Sequence, residues 1–200
     1  MITLNNKILD AFTVDATLVG YVRSLKRDHS GTPLGMGYGL TRFASPSKAF
    51  QLIYLAADPK TSVAEAIVRD RFQHKAKREM AEEEFDLWSM CEITRSAKFK
   101  LLDLRADAPT LLNIPTDAVN GRNHKAGRAF SERLYSQTSL DGILYPSRFT
   151  KKDCVALYDK AITGRITASA SIDLPRLRKL TDYMDELKIE VIRMPGPSLV

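Results

Sequence analysis

The chain is poor in the residues that most often announce chemistry: among its 200 residues are only two cysteines, three histidines and one tryptophan. Cys91 and Cys154 lie far apart and in no C-x-x-C pair, so reduced, buried thiols are expected rather than a disulfide or a thiolate metal site. His29, His74 and His124 show no ligand spacing, and no metal is expected. No apolar run approaches the length of a membrane span, and Met1–Phe12 lacks the basic and apolar regions of a signal peptide. Neither export by a leader nor a membrane role is expected. A cytoplasmic protein is the reading, with delivery into another cell without a signal peptide as the alternative. Internal repeats and low-complexity segments are also missing. The glycine-rich stretch Gly35-Met36-Gly37-Tyr38-Gly39 matches neither a Walker nor a Rossmann motif.

What is present is a basic chain of ordinary apolar content, with a formal net charge of +6. The charge permits anionic ligands, nucleic acid or a phosphorylated cofactor among them, without choosing between them. The length suits one domain over residues 1–200 with a sizeable core. Strands outnumber helices in a mixed order, which predicts an α+β fold: a compact mixed β-sheet flanked by helices.

The organising stretch runs from Gly37 to Phe72. Leu52–Ala57 is a continuous apolar run stopped by Asp58-Pro59, as expected of a strand covered on both faces. Tyr54 within it is read first as a core residue. A helix comes next, with Val63, Ala64, Ile67, Val68 and Phe72 on one stripe. Ser62 and Glu65 fit an S-x-x-E capping box in its first turn. Glu65 also borders the apolar stripe, where a carboxylate can face a cleft.

Elsewhere, Ile8, Leu9 and Phe12 predict a short helix, and Leu18–Val22 a strand with Arg23 at its end. The block His74–Glu84 is expected to extend the central helix outward as a solvated face. Leu87–Thr94 and Lys98–Leu104 read as a paired hairpin, with Trp88 in the core. A helix over Arg122–Gln137 carries Arg122, Lys125, Arg128 and Arg133. Its basic face is read as solvated, with nucleic-acid contact as the rival. Gly142–Tyr145 is a strand ended by Pro146, which places Ser147 at its exit. Val155–Tyr158 and Gly164–Ile172 supply further strands. Residues 174–192 form a helix–strand extension, its helix opening at Pro175 and running to Leu187. The tail from Arg193 to Val200 is expected to fray.

Gly39-Leu40-Thr41-Arg42-Phe43, Ile53-Tyr54-Leu55-Ala56, Thr61 to Glu65 and Asp141 to Ser147 together resemble the RES domain, over roughly Tyr21 to Tyr158. This family is the toxin half of a bacterial toxin–antitoxin system, named for an arginine, a glutamate and a serine. The matching positions are Arg42 (or Arg23), Glu65 and Ser147. The resemblance implies an ADP-ribosyltransferase-like fold, NAD+ as substrate, and a cognate Xre-type antitoxin that blocks the pocket. In that setting Glu65 and Arg42 would be catalytic, and Arg23, Arg42, Tyr54 and Ser147 would bind the dinucleotide. The acceptor of ADP-ribose stays open between water, phosphate and a protein target. The alternatives are a basic nucleic-acid or protein-binding module without catalysis, and a secreted antibacterial effector with the same NAD+ chemistry.

Overall fold

The computed structural model describes residues 6–72, 75–121 and 124–193. A short helix, α1 (Asn6–Ala11), precedes β1 (Thr13–Ala16) and β2 (Val22–Lys26). A long loop leads to β3 (Leu52–Ala56) and to α2 (Pro59–Val63), which passes through a wider helical segment (Ala64–Val68) into α3 (Arg69–Arg71). Then come β4 (Glu79–Ala81), β5 (Trp88–Ser96) and β6 (Phe99–Asp103), followed by α4 (Ala108–Leu111), α5 (Thr116–Asn120) and α6 (Lys125–Gln137). The remaining elements are β7 (Gly142–Pro146), β8 (Asp153–Tyr158), β9 (Ile166–Ala168), β10 (Ile172–Asp173), α7 (Leu180–Glu186) and β11 (Glu190–Ile192).

Nine strands form one mixed sheet in the order β1-β6-β7-β8-β3-β2-β5-β10, with β9 also on β5, and β4 pairs separately with β11. β6 and β7 run parallel, which requires a crossover, and α4 to α6 supply it. The α+β architecture expected from the sequence is the one observed.

The central strands are buried on both faces, the physical reason for their continuous apolar runs. On β3, Leu52, Tyr54 and Ala56 face a cluster with Phe130 and Leu134 of α6, whereas Ile53 and Leu55 face Phe99, Leu101, Val155 and Leu157. β7 and β8 alternate the same way, Ile143 and Tyr145 against Leu144, and Ala156 and Tyr158 against Val155. A third cluster joins Val63, Ile67 and Phe72 to Met80, Phe85, Met184 and Leu187, so the C-terminal elements cover the outside of the central helix.

Several sequence expectations fail where distant partners outweigh local pattern. β5 and β6 do not pair with each other: β5 lies on β2, β9 and β10, and β6 on β1 and β7. Their short link is held instead by Arg165, whose carbonyl accepts from Ala97 N at 2.8 Å and whose guanidinium donates to Lys98 O at 2.7 Å. Residues 75–84 do not extend the helix; they contain β4, whose Met80 is 1% exposed and packs in the third cluster. Two of this block's carboxylates pair with arginines outside it, Glu84 with Arg71 and Glu82 with the distant Arg193, and Lys77 pairs with Glu79 within it. Leu18–Tyr21 is a turn closed by Tyr21 N to Leu18 O, with Gly20 at φ +84°, so β2 starts at Val22 and Arg23 lies inside it. Pro175 opens only a 3-10 turn (Leu174–Arg176), and the α-helix begins at Leu180. His74, Arg122 and the tail beyond Arg193 lie outside the described residues.

Candidate active site

Glu65 is placed by a helix whose start differs from the capping box expected of the sequence. The N-cap is Asp58: its carboxylate accepts from Thr61 N at 2.9 Å and from Thr61 Oγ1 at 2.8 Å, and Pro59 sits in the first turn. Ser62 instead accepts from Ser24 N at 2.7 Å, joining the helix to β2. Relieved of capping, Glu65 lies in the segment Ala64–Val68, where Arg69 N bonds Ala64 O in a π-helical turn. Such widened turns recur at functional sites because the inserted residue re-aims its neighbours.

Glu65 accepts a hydrogen bond from Ser147 Oγ at 2.7 Å. The same oxygen accepts from Phe149 N at 3.2 Å and Thr150 N at 3.3 Å, and Ser147 is 1% exposed. A hydroxyl has one proton and two lone pairs, so all of its capacity is used inside the protein. Thr61 Oγ1 and Thr150 Oγ1, 2.8 Å apart, fasten the same loop to the start of the helix. Ser147 therefore holds Glu65 in place.

Glu65 lines a cavity of about 230 Å³ together with Ser62, Arg69, Trp88 and Tyr145. A larger cavity of about 410 Å³ lies under the glycine-rich loop. Arg23, Thr41 and Tyr54 line both. Trp88, expected in the core, is instead half-buried as part of the smaller cavity's wall, with Lys26 Nζ 3.8 Å from its ring centroid.

The two arginines singled out by the sequence reach this region from different elements. Arg23 Nη1 donates to Pro33 O at 2.8 Å, and among the described residues the guanidinium makes no ion pair. Burial pulls its pKa below the ordinary arginine value. Arg42 is 5% exposed, and its Nε and Nη1 have no hydrogen-bond partner among the described residues. Burial, and then the neighbouring charge of Arg148, lower its pKa; Tyr145 and Glu65 act in the opposite sense, and Arg69 adds a further cation. Buried donors left without acceptors are costly, and an anionic ligand would relieve them.

The loop carrying Arg42 is clamped on both sides. Tyr54 Oη accepts from Thr41 Oγ1 at 2.8 Å and from Phe43 N at 3.1 Å, the residues flanking Arg42, and keeps its own proton for another acceptor. Arg128 of α6 donates to Thr41 O at 3.1 Å and also to Leu40 O. That arginine thus anchors a loop, a use different from the solvated face expected of the basic helix. Gly127 lets the loop sit against α6: a Cβ there would lie 2.6 Å from Arg42 O and 2.7 Å from Ala118 O.

The structure thus brings Glu65, Arg23 and Tyr54 to the walls of two cavities that share lining residues, bonds Ser147 to Glu65 behind the wall, and sets Arg42 in electrostatic reach of Glu65. Sequence reasoning passed over Arg69, Thr41 and Asp58. Arg69 had a signal, since it stands four residues after Glu65 and so on the same helical face. Among the described residues no group of three or more His, Cys, Asp or Glu could hold a metal ion. Both cysteines are free and buried, as expected, and no helix among the described residues is long and apolar enough to cross a membrane.

Known proteins resemble this chain in sequence and in fold. A family model described as the RES domain matches residues 21–177, reaching past Tyr158. The chain is 30% identical over 93 residues to the probable toxin y4kH of Sinorhizobium fredii, covering 46% of this chain and 73% of that protein. It is also similar to a chain in the crystal structure of the M. tuberculosis MbcT–MbcA toxin–antitoxin complex. The TM-score is 0.66 at 19% identity, over 91% of this chain and 95% of the other, a likeness of fold.

Proposed function

This chain belongs to the RES domain family, and we propose that it is a toxin that consumes NAD+ by cleaving the bond between nicotinamide and ribose. The observation that carries the reading is Glu65: a carboxylate fixed by Ser147 in the wall of a cavity that also presents Arg23, a half-buried cation with no counter-ion among the described residues. Chemistry at a glycosidic carbon beside an anionic cofactor calls for that pairing.

When the C1′–N bond breaks, its electron pair returns to the pyridinium nitrogen and nicotinamide leaves neutral. The ribose is left with oxocarbenium character, and a carboxylate held beside it stabilises that developing charge or accepts a ribose hydroxyl. Glu65 has this role. Its fixed position matters because a preorganised charge needs no rearrangement during the reaction.

Arg23 donates to the pyrophosphate, and Arg42, with two buried N–H groups unsatisfied, supplies positive potential beside Glu65. Tyr54 has a phenolic proton to offer the substrate. Ser147 acts as a positioning residue, a narrower role than binding the carboxamide or ribose. A nucleophile, which is water, phosphate or a protein side chain, then adds to C1′ and loses its proton.

The partner is a cognate antitoxin of the Xre type that covers the cavity, in keeping with a structural neighbour solved as a toxin–antitoxin complex. The setting is the cytoplasm.

The test is mass-spectrometric analysis of NAD+ incubated with the purified protein, with and without inorganic phosphate, beside Glu65→Gln. Nicotinamide release by wild type and its loss in a variant that melts at nearly the same temperature is the expected result, and the ADP-ribosyl product names the acceptor. Intact NAD+ at high protein concentration would overturn the reading.

A further inference from the structure

We infer that Ser24 and Ser62 form a hydroxyl pair that reads the carboxamide of the nicotinamide ring, so the site prefers NAD+ to the same dinucleotide carrying nicotinic acid. The inference deepens the NAD+ reading of the Glu65 cavity and rests on it. Ser147 cannot serve the amide, because its one proton and two lone pairs are spent on Glu65, Phe149 and Thr150. Another polar group in the same wall has to meet it.

Ser24 of β2 and Ser62 of α2 line the cavity that Glu65 lines, and neither borders the larger one. Their Oγ atoms are 2.9 Å apart, and Ser62 Oγ also accepts from Ser24 N at 2.7 Å. Two hydroxyls hold two protons and four lone pairs between them. The bond joining them uses one proton and one lone pair, and the Ser24 amide uses a second lone pair. One proton and two lone pairs remain, whichever hydroxyl donates. A carboxamide matches that remainder: its carbonyl accepts the proton and its NH2 donates to a lone pair. A nicotinate carboxylate only accepts, so it leaves the serine lone pairs unmet. Ser62 also stands one helical turn before Glu65, which puts the two on one helix face about 5–6 Å apart between Cβ atoms. With C1′ beside Glu65, the carboxamide lies a comparable distance off, meta to the glycosidic nitrogen. Trp88 in the same lining gives the ring an aromatic surface.

The experiment is calorimetric titration of NAD+ and of nicotinic acid adenine dinucleotide into the full chain. The proteins are Glu65→Gln, which keeps both ligands intact, and Glu65→Gln combined with Ser24→Ala or with Ser24→Thr. Ser24→Ala keeps the bond from the backbone amide at position 24 to Ser62 Oγ, so the joint between strand and helix survives. It leaves one hydroxyl, which cannot meet both ends of the amide. The expected result is that Glu65→Gln binds NAD+ at least about tenfold more tightly than the nicotinic acid form, equivalent to about 1.4 kcal/mol. Adding Ser24→Ala weakens NAD+ and not the other ligand, which narrows the ratio, and Ser24→Thr, which keeps a hydroxyl, retains it. Equal affinities in Glu65→Gln, a ratio unchanged by Ser24→Ala, or no binding of either dinucleotide would overturn the assignment. Failure of the NAD+ chemistry shows separately, as a preference for NAD+ in these titrations with no nicotinamide release by wild type.

Discussion

Ser147 Oγ stands 2.7 Å from Glu65 Oε1, joining two residues 82 positions apart, and its remaining capacity is spent on the amides of Phe149 and Thr150. The serine at the exit of β7 is thus the support of the carboxylate. Ser147→Ala should lower kcat for NAD+ cleavage roughly 10- to 100-fold, matching the about 1.5–3 kcal/mol of a hydrogen bond to a charged group. KM should change little. Steady-state kinetics decide: a raised KM at unchanged kcat would mean that the serine holds substrate instead.

Arg42 gives the opposite pairing of stability and activity. Its buried guanidinium leaves Nε and Nη1 unsatisfied, so Arg42→Met removes two buried donors without partners while keeping most of the volume. A buried donor left unsatisfied costs about 1–3 kcal/mol, which the apolar side chain avoids. Urea titration should show a midpoint equal to or above that of wild type, in a protein that no longer turns over NAD+. A clear loss of stability would show that Arg42 is a structural cation.

Gly127 should be intolerant of even one methyl group. In Gly127→Ala the new carbon meets two backbone oxygens, Arg42 O and Ala118 O, and neither can swing away as a flexible side chain would. Overpacking of this kind costs about 1–3 kcal/mol, and displacing the Arg42 loop should weaken NAD+ binding as well. Gly31→Ala is the control, because a Cβ there meets nothing within 4 Å. Thermal melts of the two variants should differ by several degrees, and coincident melts would contradict the account.

The thiols should be silent in the folded protein. Burial pushes both Cys91 and Cys154 upward, and at Cys154 the negative charge of Glu65 adds to the effect. A raised thiol pKa keeps the reactive thiolate scarce, so alkylation should stay slow as the pH rises past the ordinary thiol value of about 8.5. Both cysteines should label quickly in denaturant. Fast labelling of native protein near that pH would place a thiol in contact with solvent.

Much of this arrangement was legible in the chain. The apolar run of β3 declared a strand buried on both faces, and the spacing of Val63, Ala64, Ile67 and Val68 declared the buried stripe of the helix. Pro146 marked the exit at which Ser147 sits. The capping box, by contrast, misled: Ser62 and Glu65 have the right spacing, but Asp58 lies three residues before Thr61 and caps the helix first. The charged block before Phe85 also misled, since the burial of Met80 outweighs helical charge pairing.

The sequence by itself determined which residues can carry chemistry and which segments must be buried, because period, turn residues and side-chain type are local properties. Only the tertiary structure decided what those residues touch. Ser62 bonds β2 rather than its own helix, and Ser147 meets Glu65 across the loop that also binds Thr61. β5 and β6 part to opposite regions of the sheet although only Ala97 and Lys98 separate them along the chain. Each of these outcomes is set by pairing and packing between distant segments, where burial of whole faces outweighs the preference of any short stretch.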